Sequence, residues 1–243
     1  MRSVIITGVS RGIGEALFRR LYDAGDRILA LGRHFTESQV ALAEGQPDRV
    51  RLRQADLSVP ASLPSSGELA SFIQDADEVV LIHNAGMIEP AGAVGALTPA
   101  EIIDAAMVNL ASPIVLTNAL LAVELPKYTK VSIDLVRRPI TVLYISSRAA
   151  HQTVSGFAVY GATKRGSEFF FEALAAQHAD DPHVRVVNVD PGAVDTAMQG
   201  QVREAAASEV YFPMGDFFVD LHRSGQLASA DEVAEQIVAA HLA

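Results

Sequence analysis

Thr7-Gly8-Val9-Ser10-Arg11-Gly12-Ile13-Gly14 follows the apolar run Val4–Ile6 and opens a helical pattern over Ile13–Ala24. Three glycines spaced G-x-x-x-G-x-G between a strand and a helix have a mechanical use. Gly8 lets the chain turn sharply off the strand, Gly12 lets backbone N–H groups approach a pyrophosphate, and Gly14 lets the helix pack close to the sheet. The helix start presents unpaired N–H donors and a partial positive charge to an anion. The stretch reads as a dinucleotide-phosphate loop, with Ser10, Arg11 and Ile13 beside the glycines at the ligand.

Outward from the loop, short runs of Val, Ile and Leu alternate with longer helical patterns. Val4–Ile6, Arg27–Leu31, Val50–Leu52, Glu78–Ile82, Thr141–Ile145 and Val184–Val189 read as strands. Their near-continuous apolar character is that of strands covered on both faces. Helical patterns occupy Ile13–Ala24, Ser66–Asp75, Pro99–Leu125, Tyr160–His178 and Ala230–Leu242. Strand–helix alternation predicts an α/β fold, a doubly wound parallel sheet of the Rossmann type with six strands. Residues 1–243 read as one such domain, with a lid or substrate-side insertion at about 197–226 that carries Tyr211, Phe212, Phe217 and Phe218.

The end of the second strand, Leu31-Gly32-Arg33-His34, has no acid to accept the ribose 2′-OH of NAD. Arg33 stands where a 2′-phosphate could be paired, and Arg11 offers a second guanidinium, so NADP(H) is expected over NAD(H).

Composition narrows the field. The net charge of −10 argues against nucleic acid or an anionic membrane surface as a partner. With no cysteine, thiolate metal sites and cysteine nucleophiles are excluded, and a reducing cytoplasm fits. The seven histidines form no ligand pair at a recognised metal spacing, so no metal is expected, and His83 reads as a packed strand residue. The apolar stretch Ile114–Leu125 holds Thr117, Asn118 and Glu124 and is too short and polar to span a bilayer.

Tyr160 and Lys164 are four residues apart, on one face of a helix. A free phenol, with a pKa near 10, is a poor acid–base group at neutral pH. A neighbouring ammonium favours the phenolate, and the tyrosine can then exchange a proton with a carbonyl or alcohol oxygen. Ser146 and Ser147 close the fifth strand at the sheet edge that faces ligand in open α/β folds. A hydroxyl there can hydrogen-bond a substrate carbonyl.

Together these residues resemble the short-chain dehydrogenase/reductase family. The match runs in order through Thr7–Gly14, Asp56-Leu57, Asn84-Ala85-Gly86, Asn109, Ser147, Tyr160 with Lys164, and Pro191-Gly192 followed by Thr196. The resemblance implies a nicotinamide cofactor, Tyr160 as acid/base, Lys164 as its partner and ribose ligand, Ser147 orienting the carbonyl, and Asn109 holding a water in a proton relay. Asp56 and Leu57 would flank the adenine, and Asn84, Ala85 and Gly86 the adenosine ribose. Pro191, Gly192, Val194 and Thr196 would line the nicotinamide. It also implies a homodimer or homotetramer acting on a small-molecule carbonyl substrate.

The run Asp195-Thr196-Ala197-Met198-Gln199 is similar to the sepiapterin reductase and benzil reductase branch, which reduces ketones and diketones with NADPH. Substrate contacts are expected from Ser147, His151, Phe157, Met198 and the aromatic residues of the 197–226 segment. Two alternatives lie close by, a 3-oxoacyl thioester reductase and a non-catalytic NADP(H) sensor. The Asp-Thr-x-Met-Gln run counts against the first and the full Ser-Tyr-Lys-Asn set against the second. The chain departs from the family in an apparent insertion at Glu124–Pro139 and in lacking the usual last strand. It also lacks the C-terminal aspartate that anchors pterin, so pterin binding is not implied.

Overall fold

A computed structural model describes residues 1–124, 137–201 and 220–242. Six parallel strands form one sheet: β1 (Arg2–Thr7), β2 (Arg27–Gly32), β3 (Val50–Gln54), β4 (Glu78–His83), β5 (Ile140–Ile145) and β6 (Val184–Val189). Their order is β3-β2-β1-β4-β5-β6. The connection reverses direction between β1 and β4, and a crevice opens there beyond the strands' carboxyl ends.

The helices are α1 (Gly12–Asp23), α2 (Glu37–Gly45), α3 (Ser66–Ile73), α4 (Pro99–Ala106), α5 (Ser112–Glu124), α6 (Ala158–Gln177) and α7 (Ala230–His241). Side chains alternate across β1. Val4 and Ile6 join the core under α1 and α7 with Leu17, Leu21 and Ile237. Ile5 joins the other core, under α3, α5 and α6, with Phe72, Leu120 and Phe171. Both faces are thus buried, which is why the strands read as unbroken apolar runs.

Helix α2 has no apolar stripe and escapes a reading by periodicity. Its signal is the capping box Thr36-x-x-Gln39, in which the Thr36 hydroxyl accepts from the Gln39 N–H and the Gln39 side chain accepts from the Thr36 N–H. Helices α3, α4 and α7 start with the same device, at Ser65/Glu68, Thr98/Glu101 and Ser229/Glu232.

From Pro99 to Glu124 the helix is continuous, with a π-helical turn at Met107–Ala111. Its 26 residues are long and apolar enough to cross a membrane by length and composition, more than the Ile114–Leu125 stretch suggests. Its inward side chains Leu116, Thr117 and Leu120 are nevertheless buried in the core on the sheet. The 202–219 part of the expected lid, with Tyr211, Phe212, Phe217 and Phe218, lies outside the described residues, as does most of the apparent insertion.

Candidate active site

The glycine loop leaves β1 at Gly8, whose φ of +74° belongs to the left-handed region. Gly14 does more than let helix and sheet approach. A Cβ there would lie 2.0 Å from the Gly8 carbonyl oxygen and 2.3 Å from Asn84 Nδ2. The missing side chain leaves room for the Asn84 amide, which donates to the carbonyls of Gly8 at 2.8 Å and Thr7 at 3.1 Å. The Thr7 hydroxyl in turn accepts from the N–H groups of Asn84 and Ala85. Asn84 is therefore a tie between β4 and the loop. Gln39, buried in α2, braces the loop from the other side by donating to the Val9 carbonyl at 2.8 Å.

Unlike the four boxed helices, α1 begins at Arg11 with no side-chain cap. Its first-turn donors remain available to an anion. Arg11 and Arg33 are exposed, and neither guanidinium hydrogen-bonds another described residue. Asp56 sits near enough to Arg33 to feel its charge, although the Ser58 N–H on its carboxylate is the main cause of its lowered pKa. Leu57 is buried, and its carbonyl accepts from Ser112. Across the crevice Thr196 approaches the loop, its Cγ2 3.1 Å from where a Gly12 Cβ would be. Pro191 and Gly192 turn over Asp190, which accepts from the Gly192 N–H at 2.9 Å. Val194 is buried and bridged to Ala228. This open helix start, with two unengaged guanidiniums beside it, fits a nicotinamide dinucleotide.

Tyr160 and Lys164 lie on the buried face of α6, under the end of β5. Lys164 Nζ donates to the Ile145 carbonyl at 2.8 Å and stands 4.8 Å from the Tyr144 ring centroid and 5.9 Å from that of Tyr160. Gly86 is beside it, a Cβ there falling 3.5 Å from Nζ. Burial pushes the ammonium down to about 8, with Glu168 pulling the other way.

The expected lowering of Tyr160 is not what the structure has. Burial raises the phenol, the nearby Ser147 hydroxyl pulls it down, and Asp190 raises it further. The ammonium's direct contact is with the Ile145 carbonyl, and desolvation dominates the phenol. Ser147 itself accepts from the Ala149 N–H at 3.2 Å. Ser146 is buried, and its hydroxyl has no hydrogen-bond partner among the described residues.

Asn109 lies in the π-helical turn, the kind of irregularity that often marks a functional site. Its Nδ2 donates to Met87 O at 2.8 Å and Thr163 Oγ1 at 3.1 Å, and its Oδ1 accepts from Met87 N at 2.9 Å. One amide N–H is thus spent on the segment after Gly86, at the Met87 carbonyl, and the other on the Thr163 hydroxyl of α6.

Phe157 packs with Tyr160 and Ile88, and Met198 leans on the same cluster with Ala91, Ala149 and Val154. Ile88 escapes the sequence reading, its signal being two residues beyond Asn84-Ala85-Gly86. His151 reaches to α6. Its Nε2 is 2.7 Å from Glu168 Oε2, two helical turns along α6 from Tyr160. Among the described residues, no group of His, Asp and Glu is placed to hold a metal ion.

The sequence profile of the short chain dehydrogenase family matches residues 2–207. Benzil reductase ((S)-benzoin forming) of Bacillus cereus is 31% identical over 242 residues, covering 98% of this chain and 92% of that protein. Sepiapterin reductase of Xenopus tropicalis is 31% identical over 249 residues, covering 96% of this chain and 88% of the other. Among solved structures, an actinorhodin polyketide ketoreductase variant with NADPH has a TM-score of 0.76 and 26% identity, over 98% of this chain and 88% of that one.

Proposed function

The chain belongs to the short-chain dehydrogenase/reductase family, an oxidoreductase for C=O and CH–OH groups, and from that premise we propose an NADPH-dependent ketone and diketone reductase with Tyr160 as proton donor. The observation that carries this reading is the Ser147–Tyr160–Lys164 group, gathered where β5 meets α6 beside the crevice. When bound, the nicotinamide supplies the hydride.

The residues divide the remaining work. Ser147 and Tyr160 offer two hydroxyls to one carbonyl oxygen. A phenol raised by burial is protonated at neutral pH, which is the form that reduction consumes. As negative charge develops on the oxygen, a buried O–H aimed at it stabilises that charge more than water would. Lys164 adds a positive charge close by, favouring the phenolate left behind. The first-turn amides of α1 with Arg11 and Arg33 favour the more highly charged dinucleotide. Ile88, Phe157 and Met198 make an apolar wall suited to a flat, aryl-flanked carbonyl, the type of substrate named for the benzil reductase relative. Self-association fits the same reading, since Ile102, Ile103, Val115 and Phe169 leave apolar side chains exposed on α4, α5 and α6.

The test is Tyr160→Phe, assayed on benzil by loss of NADPH absorbance. Turnover is expected to fall about 10²–10⁴-fold with NADPH affinity, read by fluorescence titration, nearly unchanged. A variant with wild-type kcat on a good substrate would remove Tyr160 from the chemistry.

A further inference from the structure

One buried acid on the catalytic helix has no part in the chemistry above. Glu168 is 5% exposed, one turn beyond Lys164 and on the same side of α6. Its polar contacts, His151 Nε2 at 2.7 Å and Arg165 Nη1 at 3.5 Å, both fall on Oε2. Oε1 has no hydrogen-bond partner among the described residues. The side chains of both partners are about half exposed, whereas that of Glu168 is 6% exposed. With its side chain only 6% exposed, the carboxylate sits where its charge is screened less from Lys164 than it would be at the surface. A buried carboxylate without an opposite charge is costly.

We propose that Glu168 is a positioning residue that keeps Lys164 in its ammonium form, with His151 as the clamp that holds it. The inference rests on the Tyr160–Lys164 reading of the site. The ionisable groups around Lys164 are Tyr160 and, one turn on, Glu168 of its own helix, Tyr144 from β5 and His83 from β4. Those facing Glu168 are His151 from the loop after β5, Arg165 from its own helix and Tyr144. Asp190, with Arg148 beside it, acts on Tyr160 from the end of β6. Of these groups Glu168 is the anion that acts on Lys164, and it opposes the burial that drives the ammonium down to about 8.

Removing that negative charge acts on both members of the pair in one direction. It makes Lys164 lose its proton at lower pH, and it makes the Tyr160 phenol more acidic while Lys164 is still charged. Either way, reductase activity fades earlier as pH rises.

The experiment is a kcat/KM profile from pH 5.5 to 10 for wild type, Glu168→Gln, Glu168→Asp and Glu172→Gln, each checked for folding by circular dichroism. Glu168→Gln should stay within about threefold of wild type at pH 6, with its alkaline limb moved down by roughly one unit. Glu168→Asp should restore most of the limb. Glu172→Gln, which removes the same charge at the exposed side of Arg165, should leave it in place. A merely structural role would lower activity at every pH without moving the limb, and that result would overturn the proposal.

Should Glu168→Gln fail to fold, a ¹³Cε titration of the wild-type lysines decides. The sequence holds three, at positions 127, 130 and 164. A Lys164 midpoint at or above about pH 8 supports the pairing, and a lower one refutes it. The titration needs no substrate, so a wild type inactive on every carbonyl would sink the reductase reading and leave this one still decidable.

Discussion

Cofactor choice comes down to two side chains. Arg33 follows β2 and Arg11 lies inside the glycine loop, both exposed and free of hydrogen bonds to other described residues. A guanidinium can grip a 2′-phosphate with two charge-assisted hydrogen bonds, each stronger than a neutral one, whereas a ribose hydroxyl gives it no charge to meet. Arg33→Ala is therefore expected to cut kcat/KM with NADPH by about 10–100-fold, matching ~1.5–3 kcal/mol for a hydrogen bond to a charged group. The value with NADH should change less than about threefold. Initial rates with both cofactors measure this, and an equal loss with each would assign Arg33 a structural role. Such residues are legible in a sequence because they sit next to an element boundary that periodicity locates. The pairing of His151 with Glu168 was not, because nothing local announces that partner. Glu168 is seventeen positions away and reaches His151 only after α6 folds back along the loop.

Where elements meet, the glycine loop behaves as a joint of three parts, β1, α1 and β4. Gly14 is the empty position through which Asn84 reaches the Gly8 carbonyl, with 2.0 Å and 2.3 Å left for any Cβ. Gly14→Ala must push the loop carbonyl or the Asn84 amide aside, breaking a 2.8 Å hydrogen bond. Overpacking of this kind costs about 1–3 kcal/mol. We expect a melting temperature lowered by several degrees and NADPH affinity weakened at least tenfold. Gly45→Ala, with nothing within 4 Å of the added Cβ, should change neither. Wild-type affinity in Gly14→Ala would mean that the loop can shift at no cost. All six strands and the five called helices were legible to within two residues at most ends, because burial on both sheet faces writes itself into unbroken apolar runs. The short, weakly amphipathic α2 was not, although Thr36 and Gln39 marked its start. Nor was the π-helical turn at Asn109, whose side chain meets Met87 and Thr163 only once distant parts of the chain have come together.

For the molecule as a whole, the groups packed between β4, α5 and α6 tie the stability of the fold to pH. His83 is buried at the end of β4, its Nε2 2.8 Å from Thr117 Oγ1 and its ring 5.4 Å from that of Phe171. Burial, and then the charge of Lys164, hold its pKa near 3 instead of the ordinary 6.5. The unfolded chain accepts a proton there near pH 6.5, while the folded chain does not until about pH 3. Between those values the unfolded state binds more protons, so stability is complete above pH 6.5 and falls as the medium is acidified. At pH 5 the loss relative to pH 7.5 is about 2 kcal/mol. The carboxylates with lowered values, Asp56, Glu68, Glu101, Asp181 and Glu232, act in a more acid window and add little above pH 5. Urea unfolding at pH 7.5 and pH 5 should therefore give a clear drop in wild type. In His83→Gln, which keeps a hydrogen-bonding group near Thr117 but has no proton to gain, most of that drop should vanish. An equal drop in both proteins would locate the acid sensitivity elsewhere and leave the buried imidazole with a packing role alone.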